Sequence, residues 1–71
     1  MAAVDIQKIF GERVRELRKR KGMSREELGH RANIHLTYIG SVERGEQNIS
    51  LKNIHKIAQG LNISLSEMFK F

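Results

Sequence analysis

The chain carries no proline, and its glycines and asparagines stand singly between stretches whose apolar residues recur every three or four positions. Strand-like alternation is absent, so the pattern predicts continuous helices joined by tight turns. A first helix follows Asp5, an N-cap residue, carries Ile6, Ile9, Phe10, Val14 and Leu17 on one stripe, and closes at Gly22. A second opens at Ser24, which with Glu27 has capping-box spacing; Leu28 and Ala32 form its apolar face, and Asn33 supplies a residue tolerant of positive φ. A third runs from about His35 or Leu36 to Gly45. The fourth follows Ser50, with Leu51, Ile54, Ile57, Ala58 and Leu61 on one face and Asn62 at its end. The fifth begins at Ser64, where Ser64 and Glu67 repeat the capping-box spacing. The expected fold class is therefore all-α with five helices, in a single domain spanning residues 1–71.

Seventy-one residues give one small core that buries about 60% of the surface of the unfolded chain. Such chains are commonly stapled, and with no cysteine neither a disulfide nor a thiolate metal site is available; a second copy of the chain is the remaining support. The fifth helix, short and apolar, is where that copy is expected to pack: Leu65 is assigned to the monomer's own core, and Met68, Phe69 and Phe71 to a dimer interface. No apolar run approaches the ~18 residues of a membrane span, and MAAVDIQKIF lacks the character of a signal peptide. A cytoplasmic protein without a membrane partner is expected.

Thirteen Lys and Arg against eight Asp and Glu give a formal charge of +5, which suits a polyanionic partner. Six of the cations, Arg13, Arg15, Arg18, Lys19, Arg20 and Lys21, crowd the end of the first helix. There they either complement the negative end of the helix dipole or touch nucleic acid directly. His30, His35 and His55 have no paired-ligand spacing, and no Ser-His-Asp, paired-carboxylate or glycine-rich phosphate motif stands out. No metal, cofactor or catalytic activity is expected.

The third helix is the informative one. Wound at 100° per residue, Tyr38, Ile39 and Val42 share a core side, while Leu36, Thr37, Gly40, Ser41 and Arg44 share the other. An ordinary solvated face would carry Glu and Lys; this one is small and neutral until Arg44. Modest side chains, hydroxyls and a glycine suit a helix that enters the major groove of DNA, where hydroxyls meet base edges and apolar groups meet the thymine methyl.

The run SREELGHRANIHLTYIGSVERGEQNISL resembles the helix-turn-helix core of the Cro and phage-repressor family. REELGHRANI, TYI, VERG and ISL occur in register, and the likeness extends from about Phe10 to Leu65. The resemblance implies a lambda-repressor-like domain whose helix-turn-helix occupies about residues 24–45. It implies base contacts from Leu36, Thr37, Gly40 and Ser41, and phosphate contacts from Arg25, Tyr38, Arg44, Asn48, Ser50 and Lys52. It also implies a structural ion pair between Arg18 and Glu43. Many relatives have Arg or Gln where Leu36 stands and often Arg where Gln47 stands, so Leu36 is expected to touch a thymine methyl, with specificity leaning on DNA shape.

Among small members the chain is similar to controller proteins of restriction-modification systems and to short repressors. The implied function is a homodimeric regulator on a pseudo-palindromic double-stranded operator, blocking or recruiting RNA polymerase. An alternative class is a protein-binding module, such as an antitoxin or an anti-repressor partner, that uses the same fold.

Overall fold

The computed structural model describes residues 5–71; residues 1–4, part of the stretch read above for a signal peptide, lie outside it. Five helices follow in order: α1 (Ile6–Arg20), α2 (Arg25–Ala32), α3 (Leu36–Glu43), α4 (Leu51–Leu61) and α5 (Leu65–Met68). No helix among the described residues is long and apolar enough to cross a membrane.

Each helix begins on a side-chain acceptor. Asp5, Ser24, Ser50 and Ser64 accept from the backbone N–H three residues on, at 3.0–3.2 Å. At α3 the acceptor is an imidazole: His35 Nδ1 takes the N–H of Thr37 at 3.1 Å. The two capping boxes form only by half. The Glu27 carboxylate bonds Arg31 one turn on, and that of Glu67 turns to Arg13, so neither returns to its cap residue. In both, a guanidinium within reach outcompetes a neutral backbone amide for the carboxylate.

α1 to α4 all end alike. Gly22, Asn33, Gly45 and Asn62 take left-handed backbone angles, with φ between 56° and 77°. In each case the next residue's N–H reaches back to the carbonyl five positions earlier, as in Met23 to Arg18 and Ile34 to Gly29. This is the Schellman termination.

α1 packs chiefly on α3, and α2 packs on both α3 and α4. Between them Val14, Leu28, Ile39, Ile57 and Leu61 are wholly buried. Four residue placements expected from the sequence are corrected here. Ile6 and Leu51, placed on core stripes, are exposed, each in the first turn of its helix at the margin of the packed layer. Leu65 and Met68 exchange roles: Leu65 is 37% exposed, whereas Met68, assigned to a dimer interface, is fully enclosed at 0%. The cause lies in α1. Arg13, itself buried, donates from Nη2 to the Glu67 carbonyl at 2.8 Å and from Nε to the Met68 carbonyl at 3.3 Å. That grip draws the end of α5 onto α1 and turns Met68 inward.

The turn between α2 and α3 depends on Gly29. A β-carbon there would stand 2.5 Å from the Ile34 carbonyl oxygen and 3.3 Å from the Leu36 nitrogen, both backbone atoms. Gly29→Ala is expected to lower the melting temperature by roughly 5 °C or more through overpacking. A rise, the outcome of ~1 kcal/mol of helix propensity acting alone, would show that the turn yields freely.

Candidate nucleic-acid interface

α3 presents its first turn to solvent. Leu36 is 44% exposed, and Thr37 beside it is exposed as well, while Ile39 and Val42 lie in the core and Tyr38 is half-buried against it. Gly40 and Ser41, expected on the outer face, are more enclosed than their spacing suggests. Ser41 is buried, and its Oγ donates to the Tyr38 carbonyl at 2.8 Å. This is the backward bond that serine favours inside a helix. Its proton is therefore committed to that carbonyl in the free protein, which leaves its lone pairs to accept.

Gly40 is covered by arginines. A β-carbon at this position would meet Arg44 Nη1 at 3.2 Å and Arg25 Cδ at 3.8 Å. The missing side chain thus makes room for two cationic arms that lie along α3. The groove-facing backbone expected at Gly40 is beneath them in the free protein.

Both arms are held by carboxylates. Arg44 donates from Nε to Glu46 Oε2 at 2.9 Å and from Nη2 to Oε1 at 3.2 Å. This hydrogen bonding, then the charge of Glu46, raises the guanidinium above its ordinary pKa, and the bond from Arg44 holds the Glu46 carboxyl below the usual carboxylate range. Arg25 donates from Nε to Glu43 Oε1 at 3.0 Å. Its side chain is 45% exposed, and its two Nη groups make no hydrogen bond within the described residues.

Glu43 is the junction of the site. Its carboxylate is 2% exposed and also receives Arg18 Nε at 2.6 Å and Arg18 Nη2 at 3.1 Å. The third nitrogen of Arg18, Nη1, donates to the Met23 carbonyl at 2.8 Å. Arg18 comes from α1, Arg25 from α2 and Glu43 from α3, so one buried anion joins three helices. Two guanidinium groups on one carboxylate leave a net positive charge, carried outward by Arg25.

The loop before α4 and the first turn of α4 complete the candidate phosphate-facing rim. Asn48, Ser50 and Lys52 are all exposed; Ser50 Oγ accepts from the Asn53 N–H. The crowded cations of α1 divide between two roles: Arg13 and Arg18 are buried and internally bonded, whereas Arg15, Lys19, Arg20 and Lys21 are exposed. Sequence reasoning missed the reach of Arg13 to α5: only its bond to Glu16, one turn on, is local, and its partners in α5 are 54 and 55 residues away. It also missed that Arg25 shares Glu43. The bond from Arg44 to Glu46 could have been suspected from their adjacency. His30, His35 and His55 are all exposed.

Two short helices at a tight turn, locked to a scaffold by a buried anion and edged with arginines, define a helix-turn-helix protein. The family model described as "Helix-turn-helix" matches residues 14–68, and the chain belongs to that family. It is 40% identical over 68 residues to the control protein C.BamHI of Bacillus amyloliquefaciens, covering 94% of this chain and 84% of that protein. It is 42% identical over 66 residues to the control protein C.MunI of a Mycoplasma species, covering 92% and 89%. Among solved structures, the restriction-modification controller protein C.AhdI from Aeromonas hydrophila superposes with a TM-score of 0.86 at 46% identity, covering 89% of this chain and 91% of that one.

Removing one partner from a buried pair strands the other charge. Arg18→Met is expected to cost about 3 kcal/mol in urea unfolding. The combined Arg18→Met and Glu43→Leu variant should lose far less than the sum of the two single changes. Additive losses would mean that the two residues act separately.

Proposed function

We propose that the protein is a DNA-binding transcription regulator that binds a short pseudo-palindromic duplex site as a homodimer, with α3 in the major groove. The sequence relatives named as control proteins support placing it as the controller of a restriction-modification system. It acts in the cytoplasm, where its DNA partner lies, without catalysing a reaction, and regulates by blocking or recruiting RNA polymerase.

The observation that carries this reading is the build of α3: a small, uncharged first turn at Leu36 and Thr37, with Arg25 and Arg44 lying along the same helix. Leu36 offers a methyl-bearing contact to thymine and Thr37 a hydroxyl to a base edge. Gly40 allows the helix backbone close approach once the arginine arms swing to the strands, and Ser41 shapes that surface with its lone pairs. Arg25, Arg44, Tyr38, Asn48, Ser50 and Lys52 hold phosphates and set register without reading sequence.

The second copy packs on the aromatic surface at the end of the chain. Phe69 stacks on Phe10 with centroids 5.5 Å apart, and Phe71 tilts against Phe69 at 6.0 Å. Phe69, Phe71 and Ile6 are 43%, 56% and 57% exposed. Phe69 and Phe71 therefore remain in the proposed interface, and Met68 supports them from within the core.

Binding to random duplex should weaken steeply with salt, and Arg44→Ala should weaken it for every sequence and flatten the slope by about one. A flat salt dependence in the unaltered protein would instead indicate a protein partner. Phe71→Asp, at an exposed position, should convert a sedimenting dimer to monomer with the fold retained by circular dichroism. A dimer that persists would move the interface elsewhere.

A further inference from the structure

The bond from Arg44 to Glu46 has no scaffold role that the rest of the structure requires. α3 is already fixed by Glu43, Arg18 and Arg25, and the chain turns at Gly45 through backbone bonds of its own: Gly45 N–H to Val42 at 3.0 Å and Glu46 N–H to Ser41 at 3.0 Å. Yet Glu46 engages two of the three guanidinium nitrogens of Arg44. It presents them with the two-oxygen fork that a phosphate would present. Held in this way, the arm lies back over Gly40, with Nη1 over the space that any larger side chain would fill. Both partners remain more than half exposed, at 58% and 56%, so exchange for another anion needs no unfolding.

We infer that Glu46 is an internal stand-in for a DNA phosphate: it occupies Arg44 in the free protein, keeps the arm folded over Gly40, and must be displaced before Arg44 grips the duplex. This rests on the DNA-binding reading above and assigns Glu46 a part in its specificity. A duplex held by charge alone gains the Arg44 contact only by breaking that fork, with no further contact on α3 to offset the cost. A cognate site adds contacts along α3 that only the opened face permits. Glu46 is thereby a positioning residue acting through Arg44, and it restrains indiscriminate binding.

The test is Glu46→Gln, measured against a random-sequence duplex at low salt, in the natural protein and in an Arg44→Ala background. With Arg44 present, the substitution is expected to tighten binding about two- to fivefold, the scale of an exposed ion pair. Without Arg44 the gain should be smaller, because only simple repulsion between Glu46 and DNA remains to be relieved. A gain equal or larger without Arg44 would reduce Glu46 to a repelling charge, and weaker binding by Glu46→Gln would mean that it presents Arg44 to DNA rather than withholding it; either result overturns the inference. The Arg44 Nε–H resonance of the free protein gives a readout that needs no DNA. It should shift on Glu46→Gln, and an unmoved resonance removes the fork whatever the duplex does. If the resonance shifts but no variant binds duplex, the DNA-binding reading fails while the internal fork stands.

Discussion

A single carboxylate, that of Glu43, receives hydrogen bonds from guanidinium groups that reach it from two other helices, and the placement of α3 follows from that meeting. Apolar packing brings α1, α2 and α3 together but tolerates small rotations, since Val14, Leu28 and Ile39 present no directional groups. A forked bond to Arg18 does not tolerate them. The net stability gained by burying such a pair is small relative to an apolar replacement, whereas the loss on breaking it is large. Its contribution is therefore better described as fixing one orientation of α3 than as strengthening the fold.

The same economy of charge appears at the middle of α1. Arg13 spends its donors on the carbonyls of Glu67 and Met68 and on the carboxylates of Glu16 and Glu67. Those two carbonyls belong to the final turn of a four-residue helix, which could hardly persist by its own backbone bonds. Two arginines of one helix thus set two separate parts of the molecule: Arg18 the surface proposed to meet DNA, Arg13 the base beneath the exposed phenylalanines.

Helix starts and stops were legible because their causes are local. A serine, an aspartate, a glycine or an asparagine decides a cap within three or four residues, and Asn33 and Asn62 adopt the left-handed angles that their positions suggested. Side-chain destinations were less legible. Glu27 and Glu67 had the right spacing for a capping box, but the sequence does not announce that Arg31 and Arg13 compete for them. The face of α5 was misjudged because four residues are too few to define a stripe, so a distant arginine decides between Leu65 and Met68. On α3, angular position alone placed Ser41 and Gly40 outside; the backward hydroxyl bond and the covering arginines are tertiary facts. Position on the helix marks Arg44 as a cation awaiting an anion, although its partner stands two residues away.

The four Schellman endings bear on how the molecule forms. Each helix carries its own stop signal, so segment boundaries are settled before distant parts of the chain meet. Nearly all regular structure here joins near neighbours in sequence, an arrangement of low contact order that typically assembles in roughly microseconds to milliseconds. For the homodimer proposed above, the slow step left is the encounter of two copies, which makes assembly depend on how much protein has accumulated. Under that proposal, abundance is sensed through the encounter of two copies rather than through folding.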